Sequence, residues 1–236
     1  MIHVSTSYGF GPDNRYQLDQ IPNSIQLALY KYDLYKDNRD DIVKTLEKQN
    51  VHVRAVHLPL DTMKTDYDFI FNMMDEIYAI TGCAKYVVHP NRGIIEFLKA
   101  FNKKGRPFNL CIETFGWKSN KTFRTPLEII FAIEKYSRHN MDMTIDTSHI
   151  EDLWFDHKIM KYLLYYTSVI HLSNRAKGIG LHLPFNDSRG QLNLVSFVRD
   201  LQYKYKWSGD IVLEYMPDYH YKLYKNLKYL ERLLHE

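Results

Sequence analysis

Apolar positions along this chain follow two alternating rhythms. Short runs in which large apolar residues alternate with smaller or more polar ones occur at residues 2–6, 24–29, 51–57, 85–89, 108–113, 141–146, 167–171 and 210–214. They read as strands, because successive strand side chains point to opposite faces. Between them lie segments with apolar residues three and four apart, the helical spacing. "NRDDIVKTLEKQ" places acids in its first turn and a base later, as a helix dipole favours. "TDYDFIFNMMDEIYAIT" keeps helical spacing up to Gly82, which predicts a C-cap. "TPLE" opens another helix, with Thr125 as N-cap, Pro126 in the first helical position and Glu128 completing a capping box. The final segment lines up Leu223, Leu227, Leu230 and Leu234, with lysines elsewhere. Helical signal is sparse between Phe10 and Ile21, so the first two units are the least regular.

Strands alternating with helices predict an α/β protein with a parallel sheet, and closing eight of them gives a single-domain (β/α)8 TIM barrel over residues 1–236. An open doubly wound sheet is the structural alternative. No Gly-rich phosphate loop follows any strand, which argues against a nucleotide-binding sheet of that kind.

Six successive predicted strands end on His57, His89, Glu113, Asp146, His171 and Glu214. In a closed parallel barrel these ends share one rim, the face that carries active sites. Parity supports the placement. In "FNLCIE", Glu113 shares a face with Cys111 and Asn109, whereas Phe108, Leu110 and Ile112 take the other. In "MDMTID", Asp146 shares a face with Thr144 and Asp142, whereas the methionines and Ile145 face oppositely. A lone strand-end histidine is ordinarily a hydrogen-bonded structural group, and a lone acid a cap or ion-pair partner. Several imidazoles and carboxylates on one rim are costly to gather without a cation, and a divalent metal removes that cost. His149, just past Asp146, and His182, after the strand ending at His171, extend the set. His52, His139, His157, His220 and His235 fall on helices, loops or the wrong strand face, and His3 is unassigned.

Bulk properties narrow the function classes. The length suits one sizeable core, and no run of eighteen apolar residues or basic-then-apolar leader occurs, which predicts a soluble, non-exported, cytoplasmic protein that uses no membrane. Cys83 and Cys111 sit in apolar segments and are expected as reduced core thiols. A net charge of +3 permits an anionic substrate but is far below the footprint of a committed nucleic-acid binder. Arg175, Lys177 and Arg189 lie near the rim as phosphate candidates, and Phe115 and Trp117 in "ETFGWKSNKTF" are candidate platforms for a sugar ring.

The segments "AVHLP", "VVHP", "CIETF", "IDTSH", "IHLSN…LHLP" and "VLEY" resemble, in order and strand placement, the motif series of the xylose isomerase-like TIM barrels. That superfamily joins sugar isomerases and epimerases to endonuclease IV-type enzymes, the AP endonucleases of family 2. The resemblance runs from about residue 51 to residue 214. Its sugar-enzyme branch implies one divalent ion held by Glu113, Asp146, His171 and Glu214, with Glu113 and Glu214 moving a proton at the carbon next to a polarised carbonyl. Mn²⁺ or Mg²⁺ suits that oxygen-rich set, and Zn²⁺ gains with each imidazole. The endonuclease IV branch implies three zinc ions. His57 and His89 hold one, Glu113 bridges to a second completed by Asp146, His171 and Glu214, and a third uses His149, His182 and an aspartate two residues before His182. Gly180 stands there, so the third site is expected to be weak and one to two ions are expected per chain. Leu60 and Asp61 also depart from that branch's aromatic–aliphatic pair.

Three functions follow as expectations. The first is a metal-dependent isomerase or epimerase of a sugar or sugar phosphate, with His57 and His89 as substrate contacts or extra ligands. The second is metal-dependent hydrolysis of a phosphodiester at abasic sites in DNA. The third is a barrel that binds a sugar without turnover.

Overall fold

The computed structural model describes residues 1–9, 22–29, 31–48, 51–64, 66–115, 121–136, 140–150 and 156–235. The expectation for residues 10–21, and the candidate Trp117, lie outside the described residues. All eight expected strands are present: β1 (Ile2–Tyr8), β2 (Ser24–Ala28), β3 (His52–His57), β4 (Lys85–Val88), β5 (Asn109–Glu113), β6 (Met141–Asp146), β7 (Thr167–Leu172) and β10 (Gly209–Leu213). They close into a parallel barrel in the order β1-β10-β7-β6-β5-β4-β3-β2. The α/β closed barrel is therefore the architecture, not the open sheet.

Helices α1 (Tyr32–Lys48), α2 (Tyr67–Thr81), α3 (Ile94–Lys104), α4 (Pro126–Tyr136), α5 (His157–Tyr165), α6 (Leu194–Arg199) and α7 (Leu223–His235) follow the strands. Their ends obey local chemistry. Gly82 ends α2 at a φ of 65°, a left-handed conformation that costs glycine little. At the start of α4, the Glu128 amide donates to Thr125 Oγ1 at 3.3 Å, and the Thr125 amide donates to Glu128 Oε2 at 3.0 Å. That reciprocal pair is the expected capping box, worth about 1 kcal/mol for the N-cap alone. On α7, Leu223, Leu230 and Leu234 are buried as expected, but Asn226 and Leu233 are buried with them, while Leu227 is half-buried. Asn226 tolerates burial because its Nδ2 donates to the Tyr215 hydroxyl at 3.1 Å.

Two apolar cores result. The large one lies between sheet and helices and takes Leu110, Ile112, Met141, Met143 and Ile145, the outward faces of β5 and β6. A small one, Ala55, Val87, Cys111, Val169 and Val212, fills the barrel interior. Cys83 and Cys111 are buried free thiols, and burial pushes the Cys83 thiol up to about 12, so it stays protonated and inert. No helix among the described residues is long and apolar enough to cross a membrane.

One element escaped the sequence reading. The loop after β7 contains an antiparallel hairpin, β8 (Asn174–Ala176) and β9 (Gly180–Leu183). Its turn uses positive φ at Gly178 and Gly180, 79° and 135°. The alternation in "GLHL" and the glycines of "KGIG" were the available signal.

Candidate metal centre

The interior plug places the candidate ligands. His57, His89, Glu113, His171 and Glu214 each follow Ala55, Val87, Cys111, Val169 and Val212 by two residues, one pleat further along the strand. Each therefore points into the barrel mouth above the small residues. The strands β4 and β10 stop at Val88 and Leu213, so His89 and Glu214 stand one residue beyond their ends. Asp146 arrives on β6 in register with His171.

Glu113 sits at the middle of the group. Its Oε2 lies 3.2 Å from His57 Nε2 and 3.0 Å from His89 Nε2. Its Oε1 lies 3.7 Å from both His149 Nδ1 and His171 Nδ1. Glu214 Oε2 lies 2.7 Å from the same His171 Nδ1. A tight turn after β6 brings His149 back over the site, since Asp146 Oδ1 accepts from both the Ser148 amide and its hydroxyl at 2.8 Å. The hairpin delivers His182, whose Nδ1 is 3.9 Å from Asp146 Oδ2, while His149 Nδ1 is 3.4 Å from that oxygen.

These contacts form three overlapping donor sets: His57, His89 and Glu113; Glu113, Asp146 and His171; Asp146, His149 and His182. The third set does not lack an acid. At Gly180, φ is 135°, a conformation that disfavours an aspartate, and Asp146 faces the two histidines instead. Thus all eight candidate ligands converge on one mouth.

Hydrogen bonds on the far side of two rings test whether a cation fits. His57 Nδ1 lies 2.9 Å from the Leu58 carbonyl, which only accepts, so the proton sits on Nδ1 and Nε2 turns its lone pair toward Glu113. His171 Nε2 lies 2.9 Å from Gln26 Oε1, and Gln26 Nε2 donates to Ser7 Oγ at 3.0 Å. That orientation puts the His171 proton on Nε2 and turns Nδ1 toward Glu214. Lone pairs facing carboxylates at these distances require a proton or a metal ion between them. Asp146 Oδ2 is buried and accepts no hydrogen bond, a costly state for a carboxylate that a cation relieves. The donor set fits a divalent metal.

Electrostatics agree. Burial works against a charge on His171, but the Glu214 and Glu113 carboxylates outweigh it and raise the imidazole well above its usual range. Burial likewise opposes the charge on Glu113, yet the imidazoles of His89, His171 and His57 around it hold its carboxyl well below the usual range. Burial lowers His89 to about 4 against the pull of Glu113. A neutral His89 is ready to act as a ligand.

The mouth is a cleft of about 390 Å3 lined by Leu60, His89, Asn91, Glu113, Phe115, Lys121, His149, His182 and Glu214. A larger hollow of about 1190 Å3 opens at the other end, beside the start of β1 and the end of α7, but none of the three donor sets lies there. Of the expected substrate contacts, Arg175 is turned to the Ile150 carbonyl at 2.5 Å, and Lys177 is exposed on the hairpin tip. Phe115 packs against the ligands, stacking on His149 at 4.5 Å between centroids and meeting His89 edge-on at 4.9 Å. The sequence reading missed Gln26, Lys121 and Ser173, whose hydroxyl lies 3.3 Å from His182 Nδ1. Gln26 had a signal, as the one amide side chain in "SIQLA", on the face it shares with Ser24 and Ala28.

No protein-family model and no curated protein matches the chain. Solved structures do. A xylose isomerase domain-containing protein from Salmonella typhimurium superposes with a TM-score of 0.66 at 11% identity, over 91% of this chain and 88% of its own. The chain shares the closed (β/α)8 barrel fold of that protein. Two further solved structures, whose own activities differ, share the fold as well. An AP endonuclease of family 2 from Brucella melitensis has a TM-score of 0.62 at 12% identity, over 91% of this chain and 92% of its own. A 3-keto-D-glucoside 4-epimerase from E. coli has a TM-score of 0.64 at 12% identity, over 98% of each chain. At such identities the likeness concerns the fold alone, and the chemistry must be argued from the site.

Proposed function

We propose that this xylose isomerase-like barrel is a multinuclear metal-dependent hydrolase of phosphate esters, with abasic-site DNA the first substrate to test. One observation carries the reading: Glu113 and Asp146 each belong to two of the three donor sets. Shared carboxylates with terminal imidazoles are what a centre of two or more ions needs, whereas an isomerase with one ion needs four donors and leaves His57, His89, His149 and His182 over. Ions bound there would supply polarisation of a phosphoryl oxygen and acidification of water near neutral pH. The imidazole-rich set suits Zn²⁺, with Mn²⁺ next. The protein's own part is to hold the donors rigidly, through the Leu58 carbonyl, Gln26 and the turn at Ser148, and to keep the floor dry with Val87, Cys111, Val169 and Val212.

The test is nicking of a duplex with a single abasic site by zinc- or manganese-loaded protein, with Asp146→Asn as control. Strand cleavage by the wild type alone supports the reading. Metal-loaded protein that cleaves neither this duplex nor simple phosphate esters rules it out.

One observation favours epimerisation of a sugar or sugar phosphate as a second reading. Glu113 Oε1 and Glu214 Oε2 both lie near the same His171 nitrogen, at 3.7 and 2.7 Å, so two carboxylates are held close together, and a carboxylate held close is what proton transfer at a carbon uses. Turnover on a ketose panel that disappears in Glu214→Gln supports it, and metal-loaded protein inert on the whole panel counts against it.

A further inference from the structure

The cations expected to meet a phosphate are placed elsewhere. Arg175 is engaged with the Ile150 carbonyl, and Lys177 is out on the hairpin tip. Arg189 forms a two-point pair with Asp187, both bonds 2.8 Å long. Among the described residues that line the mouth cleft, the only lysine or arginine is Lys121.

Its position is well defined. Lys121 Nζ donates to Asn91 Oδ1 at 2.6 Å and sits 4.5 Å from the centre of the Phe115 ring. Asn91 is itself fixed, since its Nδ2 donates to the Leu60 carbonyl at 2.9 Å. The next residue is stitched to the same loop, with the Thr122 amide on the Pro90 carbonyl at 2.8 Å and its hydroxyl on the Asn91 carbonyl at 3.1 Å. The ring beneath the ammonium is the one that stacks on His149 and meets His89 edge-on. Thus one aromatic plate links the lysine to two candidate ligands from different donor sets. A flexible four-carbon stem is held in one place at one rim of the cleft by this hydrogen bond and ring contact.

We propose that Lys121 is the anion clamp of the cleft: its ammonium, positioned by Asn91 and the Phe115 face, binds a phosphoryl oxygen of the substrate and restricts the site to phosphorylated molecules. The inference rests on the phosphate-ester reading and adds the residue that selects the substrate class. Burial lowers the lysine's proton affinity, partly offset by Glu113. Two dications among three carboxylates would leave the cleft positive before Lys121 is counted, which favours an anion further.

The experiment measures binding of inorganic phosphate to zinc-loaded protein by calorimetry, with metal content and melting temperature determined for each variant. Lys121→Gln is expected to weaken phosphate about tenfold or more, the usual loss for one charge-assisted hydrogen bond, at unchanged zinc content. Lys121→Arg is expected to recover most of that loss. Lys225→Gln, which removes the same charge at the opposite end of the barrel, is expected to stay within about twofold, because salt screens a distant charge. The proposal is overturned by wild-type protein that binds no phosphate, by Lys121→Gln binding it as tightly as wild type, or by a fall in zinc content in Lys121→Gln, which would make the lysine a structural part of the metal centre. The two readings fail separately. Phosphate held through Lys121 without cleavage of any ester removes the hydrolase and keeps the clamp. Cleavage with phosphate affinity indifferent to Lys121 does the reverse.

Discussion

His171 and Gln26 share a buried hydrogen bond, Nε2 to Oε1 at 2.9 Å, across the barrel interior from β7 to β2. Its consequence lies on the other side of the ring. With the proton committed to Gln26, the Nδ1 lone pair is aimed at the acids of the mouth, so a residue distant in sequence orients a candidate ligand.

Replacing Gln26 by Leu is therefore expected to lower zinc affinity about 10- to 100-fold, the usual effect of losing such a partner. Competition with a chromophoric chelator measures it. An affinity equal to wild type would show that the ring orientation is set by packing instead.

Asp146→Asn is expected to act in opposite directions with and without metal. The metal-free protein loses a buried carboxylate oxygen that accepts no hydrogen bond, and its melting temperature should rise by about 2–4 °C for each kcal/mol relieved. The same variant should bind at least one zinc ion fewer. Calorimetric melting of chelator-treated protein, paired with elemental analysis, reads both. A lower melting point without metal would mean that the carboxylate is already satisfied.

Replacing His57 and His89 together by Ala should remove one ion and leave others bound, because these two meet only the Glu113 end of the cluster. Zinc per chain, measured after dialysis, gives the answer. Unchanged stoichiometry would assign the pair to substrate contact, the role open to it in a one-ion isomerase.

Metal binding should release protons. In the metal-free protein the His171 pKa is raised above 6.5, so its protonated form contributes stability below the unfolded value, and that contribution is lost as pH rises through the folded pKa. A metal ion must displace this proton. Titrating zinc at pH 7 in buffers of different ionisation enthalpy should reveal about one proton or more released per chain. A heat independent of buffer would contradict the charged imidazole.

The sequence by itself determined the order of strands and helices and the row of acids and imidazoles at the strand ends. Period-two alternation in "FNLCIE" and "MDMTID" settles which side chains enter the barrel, because a strand has only two faces. Strand ends then carry Glu113 and Asp146 to one rim, and the capping box at Thr125 is legible for the same local reason. Tertiary structure decided what depends on contacts between distant segments. The hairpin holding His182, the sharing of Asp146 between two donor sets, the Gln26 bond to His171 and the placement of Lys121 over Phe115 all join residues far apart in the chain. No local periodicity encodes them. The closing of the barrel sets those distances, and a distance decides whether two ligand-type side chains make a site or merely occur in the same protein.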